Sequence, residues 1–161
     1  MAIEIHVMGD YWAPTRDERT DLGDLVHRAK DLGDRTAAAL LAERFAAFLG
    51  TVVPVATAIV PVPASPDRPS DLLSIVAGDR ARPVVERRAA TARLRDLAPE
   101  DRPAMVDAGK YEVTAACEGQ HFVVLDDVVL TGTTLQHVGH LLLAAGAASV
   151  VGVALARTRR R

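Results

Sequence analysis

The sequence predicts one α/β domain spanning residues 1–161, three layers deep, with a mainly parallel sheet, and three observations carry that expectation. Apolar residues recur at helical spacing in some stretches and alternate or run unbroken in others, so helix and strand periods take turns along the chain. The distal third reads as strand, loop, helix and strand, the order of a right-handed parallel crossover. A length of 161 residues suffices for one sizeable core and falls short of two ordinary domains.

Ile3, Ile5 and Val7 alternate with Glu4 and His6, which predicts a half-buried first strand closed by Gly9 and Asp10. Tyr11 and Trp12 follow in a loop stiffened by Pro14; packing on the first helix is the preferred reading of this aromatic pair, a contact surface the alternative. Leu22, Leu25, Val26 and Ala29 mark that helix, which Gly33 stops. Asp34 caps a second helix whose Ala37, Leu40, Leu41, Phe45, Phe48 and Leu49 share a face. His27, beside Lys30 on the polar side of the first helix, is expected to be solvated.

Residues 56–62 make a buried strand punctuated by Pro54, Pro61 and Pro63, and 64–69 a rigid turn. A helix is expected over 71–77, capped at Ser70 or Asp71, and a short second one over 84–92. Arg80, Arg82, Arg87, Arg88, Arg93, Arg95 and Arg102 then form a charge run, which is ordinarily a solvated face. After a central strand at 122–125, Val138, Leu141, Leu142 and Ala145 line a helix ended by Gly146, and 150–156 supplies a last buried strand. His137 and His140 sit three apart without a third ligand, too little for a metal site, and Arg157, Arg159, Arg160 and Arg161 read as a solvated tail.

The most informative stretch is 121–135, HFVVLDDVVLTGTTL. An apolar strand delivers two adjacent carboxylates, Asp126 and Asp127, and then Thr131, Gly132, Thr133 and Thr134 open a helix. Backbone N–H groups at a helix N-terminus cradle an anion, Gly132 allows close approach, and the threonine hydroxyls add donors. Carboxylates repel phosphate but accept hydrogen bonds from vicinal hydroxyls and suit the neighbourhood of Mg2+. Together these point to a phosphorylated sugar such as a ribose 5-phosphate. An Asp-rich strand-to-helix turn with threonine as cap is the plain structural alternative.

This string resembles the phosphoribosyl pyrophosphate (PRPP) signature of type I phosphoribosyltransferases, and the wider layout is most similar to their ComF (GntX-like) branch, associated with competence for DNA uptake. The branch resemblance rests on Lys30-Asp31-Leu32-Gly33-Asp34, on VPVP at 60–63, on the signature at 123–134 and on ALART at 154–158. It implies a pentosyl-transferring glycosyltransferase of the α/β fold above, with a flap or hood over approximately 79–115. The catalytic pair would be Asp126 and Asp127, gripping the ribose hydroxyls, with the 5-phosphate on Thr131, Gly132, Thr133 and Thr134. Pyrophosphate would sit on Ala64, Ser65 and Arg68, in a loop that often carries a cis peptide in the family, under a flap bearing Arg102. Mg2+ would come with PRPP, held mainly by the substrate near the acidic pair and by no direct protein ligand.

Three departures are visible. The chain has no Cys-x-x-Cys ribbon; Arg68-Pro69-Ser70-Asp71 replaces the R-G-F-N-Q step; and the flap offers Leu94, Leu97, Arg102 and Met105 where the branch places Gln, Leu, Arg and Asn. Two lost amides remove hydrogen bonds worth about 1 kcal/mol each. The sequence therefore supports two functions: phosphoribosyl transfer to a nitrogenous acceptor with release of pyrophosphate, or a non-catalytic PRPP- or nucleotide-binding module in regulation or competence. Leu130 stands where the 6-oxopurine enzymes of the family carry an aspartate before T-G, so those bases are not the expected acceptors. Gly132→Val is expected to fill the phosphate loop and spare the fold.

With 19 Lys and Arg against 21 Asp and Glu, the net charge of -2 gives no reason to expect direct binding of nucleic acid, and no apolar run reaches the length of a membrane span. Cys117 is alone, so no internal disulfide forms, and the expectation is a soluble, unexported protein of the reducing cytoplasm. Pairing into a homodimer near the site is what the resemblance implies for assembly.

Overall fold

In the computed structural model the residues described are 1–54, 57–88 and 110–159. Strand β1 (Glu4–Val7) leads into helices α1 (Asp21–Asp31) and α2 (Arg35–Leu49), then β2 (Ala58–Pro61), α3 (Leu72–Ala77) and a 3₁₀ turn at Gly78–Arg80. The short strands β3 (Val85–Arg87) and β4 (Tyr111–Val113) precede β5 (His121–Val129), α4 (Thr133–Ala144) and β6 (Ser149–Arg157). The main sheet runs β1-β6-β5-β2, with every pair parallel. The expected α/β architecture is therefore the one observed, and β5 and β6 are its centre.

Alternation along β5 builds the two faces. Val123 and Leu125 point to one side, where Val26, Leu41, Phe45 and Leu49 of α1 and α2 cover them. Phe122 and Val124 point to the other, against Leu135, Val138 and Leu142 of α4 and against Val85 and Tyr111 of the small sheet. Burial on both faces explains why the strand reads as an unbroken apolar run and not as an alternating one. Among the described residues no helix is long and apolar enough to cross a membrane.

Capping fixes how α1 meets α2. Thr20 accepts from the Gly23 amide at 2.9 Å, and Asp34 accepts from Thr36 and Ala37 at 2.9 and 3.0 Å. The other Asp34 oxygen takes two bonds from Arg28, at 2.6 and 3.0 Å, and Gly33 turns the chain at φ +64°. This clamp holds the last turn of α1, and with it Lys30, in a set direction. Tyr11 packs on the core beside Leu22, in accord with the preferred reading. His27 is bonded to Asp31 at 2.7 Å, His140 contacts the Met1 carbonyl, and the ring of His137 lies 6.0 Å from that of Tyr111.

Two expectations need correction. The helix expected over 84–92 is replaced at its start by β3, which pairs antiparallel with β4 across Val85↔Val113 and Arg87↔Tyr111. A β-branched pair after Pro83 found a distant strand partner, and tertiary pairing outweighed local periodicity. The acidic pair does not follow the central strand but belongs to it, since β5 continues to Val129 in register with Arg157. Of the residues 79–115 expected as a flap, 85–87 and 111–113 are β3 and β4; Arg102, with Arg93, Arg95, Leu94, Leu97 and Met105, lies outside the described residues.

Candidate functional site

A cavity of about 370 Å³ opens at the carboxyl end of β5 and β2. The sheet positions its floor. On one side β2 pairs with β5 only as far as Pro61↔Leu125, so the residues after Leu125 are freed from that neighbour while β6 still supports them. Period-two alternation sends Asp126 toward the Tyr111 side and Asp127 toward α1, so the carboxylates straddle the sheet edge. Each also takes a local amide: Asp127 N–H donates to Asp126 Oδ1 at 2.9 Å, and Val128 N–H to Asp127 Oδ1 at 2.6 Å.

The two carboxylates differ in environment. Asp127 Oδ2 lies 2.7 Å from Lys30 Nζ. Burial, with the charge of Asp127 adding to it, pushes the Asp126 carboxyl up to about 6, against the pull of the Asp127 amide, Lys30 and Lys110. Asp126 therefore titrates close to neutrality, and a ligand that supplies hydroxyl donors or positive charge favours its ionised form.

Of the site residues expected from sequence, Asp126, Asp127, Ala64, Ser65, Arg68 and Thr134 all line this one cavity. The loop after β2 is tied down where Val62 N–H donates to the Leu125 carbonyl at 2.8 Å, and a turn closes from the Arg68 amide to the Ser65 carbonyl at 3.0 Å. Its peptides are trans, as are all those described, unlike the cis form the family resemblance suggested. Thr131, Gly132 and Thr133 do not line the cavity; they form the adjoining turn, with the two hydroxyls 2.9 Å apart and Gly132 capping α4 at φ +82°.

Gly132 corrects a further expectation. A Cβ there would lie 2.9 Å from Ile5 Cδ1 and 3.9 Å from Val129 Cγ2, pointing into the core and not into the loop. A side chain here acts by backbone strain at this φ and by pressing on Ile5, so Gly132→Val costs stability instead of only filling the phosphate loop. We expect even Gly132→Ala to cost roughly 2–4 kcal/mol, a melting point lower by about 4–16 °C. A thermal melt within 2 °C of the parent, on that same scale of roughly 2–4 °C per kcal/mol, would contradict this reading.

Among the lining residues that sequence reasoning did not place in the site are Lys30, Arg87, Lys110 and Tyr111. Lys30 was visible in the Lys-x-x-Gly-Asp step and on the polar side of the first helix but was given no role in the site; it lies 2.7 Å from Asp127 Oδ2. Arg87 was one of many arginines, and pairing of β3 with β4 singles it out. Its guanidinium lies 5.4 Å from the Tyr111 ring centroid, as does Lys110 Nζ, and its Nε donates to the Pro63 carbonyl at 3.4 Å. Burial raises the Tyr111 phenol above its usual range. Around the cavity, Lys30, Arg68, Arg87 and Lys110 face two carboxylates, an excess of cations that suits a polyanion carrying hydroxyls.

Residues 74–161 match the family model described as the phosphoribosyl transferase domain. Similar solved structures include a hypoxanthine phosphoribosyl transferase of Trypanosoma cruzi, 16% identical over 87% of this chain and 69% of that one, with a TM-score of 0.44. A hypoxanthine phosphoribosyltransferase of Staphylococcus aureus is 14% identical over 87% and 68%, with a TM-score of 0.40. No curated protein matches.

Proposed function

This chain belongs to the phosphoribosyl transferase domain family, whose model covers more than half of it, and on that premise we propose that its cavity binds Mg-PRPP and transfers the phosphoribosyl group to a nitrogenous acceptor with release of pyrophosphate. The observation that carries the reading is the convergence on one cavity of the acidic pair, the loop at Ala64 and Ser65 with Arg68, and Thr134 at the start of α4.

Asp126 and Asp127 accept hydrogen bonds from the two ribose hydroxyls and lend negative charge to a sugar that becomes oxocarbenium-like. The turn at Thr131, Gly132, Thr133 and Thr134 presents amides and hydroxyls to the 5-phosphate. Ala64, Ser65 and Arg68 hold the leaving pyrophosphate, and Arg87 and Lys110 stand on the opposite wall. Mg2+ supplies charge neutralisation on the pyrophosphate oxygens. Two carboxylates at the cavity suit the neighbourhood of an ion brought by the substrate.

The Lys30 clamp gives physical meaning to the Lys-x-x-Gly-Asp step and supports placement in the ComF (GntX-like) branch. The amide-poor flap sequence favours a second reading, a PRPP-binding module without turnover in a DNA-uptake or regulatory assembly. A homodimer and a reducing cytoplasm, compatible with the buried free thiol of Cys117, complete the proposal. Calorimetry with Mg-PRPP tests binding, and pyrophosphate release over a panel of bases and amines separates enzyme from module. Asp127→Asn should weaken Mg-PRPP by roughly 1.5–3 kcal/mol for each hydroxyl bond lost, about 10- to 150-fold. Unchanged affinity would move the site elsewhere.

A further inference from the structure

Two adjacent carboxylates at a cavity would by ordinary chemistry collect a divalent cation, since Mg2+ and Mn2+ prefer carboxylate oxygens. Here one of the two already has a cation of the protein's own. Lys30 Nζ lies 2.7 Å from Asp127 Oδ2, and both residues line the main cavity.

The lysine is held from both ends of its helix. At the start of α1 a Cβ on Gly23 would collide with the Tyr11 carbonyl, so the helix seats closer to that loop than any side chain would permit. Leu25, Val26 and Ala29 are buried along it. Beyond Lys30, the Leu32 and Asp34 amides both donate to the Arg28 carbonyl, at 3.2 and 3.0 Å, which closes the last turn. A cation in that turn also meets the negative end of the helix dipole. Asp127 is equally fixed, because its neighbours Asp126 and Val128 pair with Ala154 and Ala156 of β6 and its own Oδ1 accepts from the Val128 amide at 2.6 Å.

Counting acceptor sites shows what is left for a ligand. A carboxylate offers about four lone-pair positions; Asp127 uses one on each oxygen, for Val128 N–H and for Lys30. The remaining position on each oxygen suits a neutral hydroxyl donor. A metal ion at about 2.1 Å from Oδ2 would instead crowd the ammonium on the same oxygen and be repelled by it. The charge of Lys30 also reaches Asp126, whose carboxyl it pulls downward against burial and Asp127, so one lysine acts on both acids.

We propose that Lys30 is a tethered counterion: it positions Asp127 to accept from hydroxyls and keeps a free divalent cation off the acidic pair, so that the ion enters only when a polyphosphate ester carries it. The proposal deepens the transfer reading above, which identifies that ester as PRPP, whereas the exclusion of free metal is tested without PRPP.

The probe is Mn2+ alone, titrated into the ligand-free full chain and read by electron paramagnetic resonance of the free ion. The parent should show no saturable site tighter than about 1 mM, and Lys30→Gln should bind one ion at about 0.1 mM or tighter, at least tenfold better. Adding Asp127→Asn to Lys30→Gln should abolish that site, and Lys30→Arg, which keeps the charge, should match the parent. Equal Mn2+ affinity in parent and Lys30→Gln, or a tight site in the parent or in Lys30→Arg, overturns the counterion. Where glutamine disturbs the fold, as seen by circular dichroism, Lys30→Met keeps the apolar stem and tests the same loss of charge. Calorimetry with PRPP separates the two readings. The parent's affinity should level off as Mg2+ is raised, and that of Lys30→Gln fall again in excess Mg2+, because the ion then occupies Asp127. Parallel Mg2+ profiles in parent and variant overturn the proposal even where PRPP binds. A parent that binds no PRPP at any Mg2+ concentration overturns the transfer reading instead, and the Mn2+ titration then judges Lys30 by itself.

Discussion

Supplied with Mg-PRPP and hypoxanthine, guanine or xanthine, the protein should show at least 100-fold less turnover than a phosphoribosyltransferase that uses these bases. The reason is Leu130. The family resemblance places an aspartate immediately before T-G in enzymes acting on 6-oxopurines, where it bonds or deprotonates a ring nitrogen as the glycosidic bond forms. Here Leu130 occupies that position, between Val129 at the end of β5 and the turn that caps α4. A leucine can neither accept the proton nor pair the ring atom, and general acid–base assistance is commonly worth about 100- to 10,000-fold. Steady-state assays with each base decide the matter. A kcat/KM of about 10,000 per molar per second or more, the ordinary enzyme range, would sink the argument. Leu130→Asp is the companion variant, and any gain should appear with the 6-oxopurines alone.

What the sequence made legible was whatever is encoded locally. The apolar run of β5, the turn at Gly132 and the cap at Asp34 each follow from neighbours a few residues apart, and each stands where periodicity and capping chemistry put it. The acidic pair was legible as chemistry for the same reason. Its surroundings were not. Lys30 and Asp127 lie far apart in the chain, and only the Arg28–Asp34 clamp at the end of α1 turns the lysine toward the sheet edge. The strand β3 is too short to show a period and exists because β4, distant in sequence, pairs with it. Local signals thus located the acidic pair and the turn after it, and long-range pairing chose the cations around them.

Asp126→Asn should make the ligand-free protein more stable at pH 7.5 and no more stable at pH 4. The folded-state carboxyl sits at about 6 against an ordinary 3.8, because burial penalises its charge and Asp127 adds to the penalty. Between those values the native state keeps a proton that the unfolded chain has released. Its contribution is therefore fully present below about pH 4, declines as pH rises through 4 to 6, and is lost above, in the sense opposite to a salt-bridged carboxylate. A shift from 3.8 to about 6 corresponds to roughly 3 kcal/mol at neutral pH. Asparagine has nearly the same shape, keeps an oxygen for the Asp127 amide and carries no charge, so it removes the penalty. At about 2–4 °C per kcal/mol for a chain of this size, the variant should melt roughly 6–12 °C above the parent at pH 7.5, with the two curves converging at pH 4. If, as proposed, Asp126 accepts from a ribose diol, it must do so ionised, so Mg-PRPP affinity of the parent should rise between pH 5 and 7 while that of the variant stays low and flat. Parent and variant melting curves that run parallel from pH 4 to 7.5 would show that Asp126 carries no such strain.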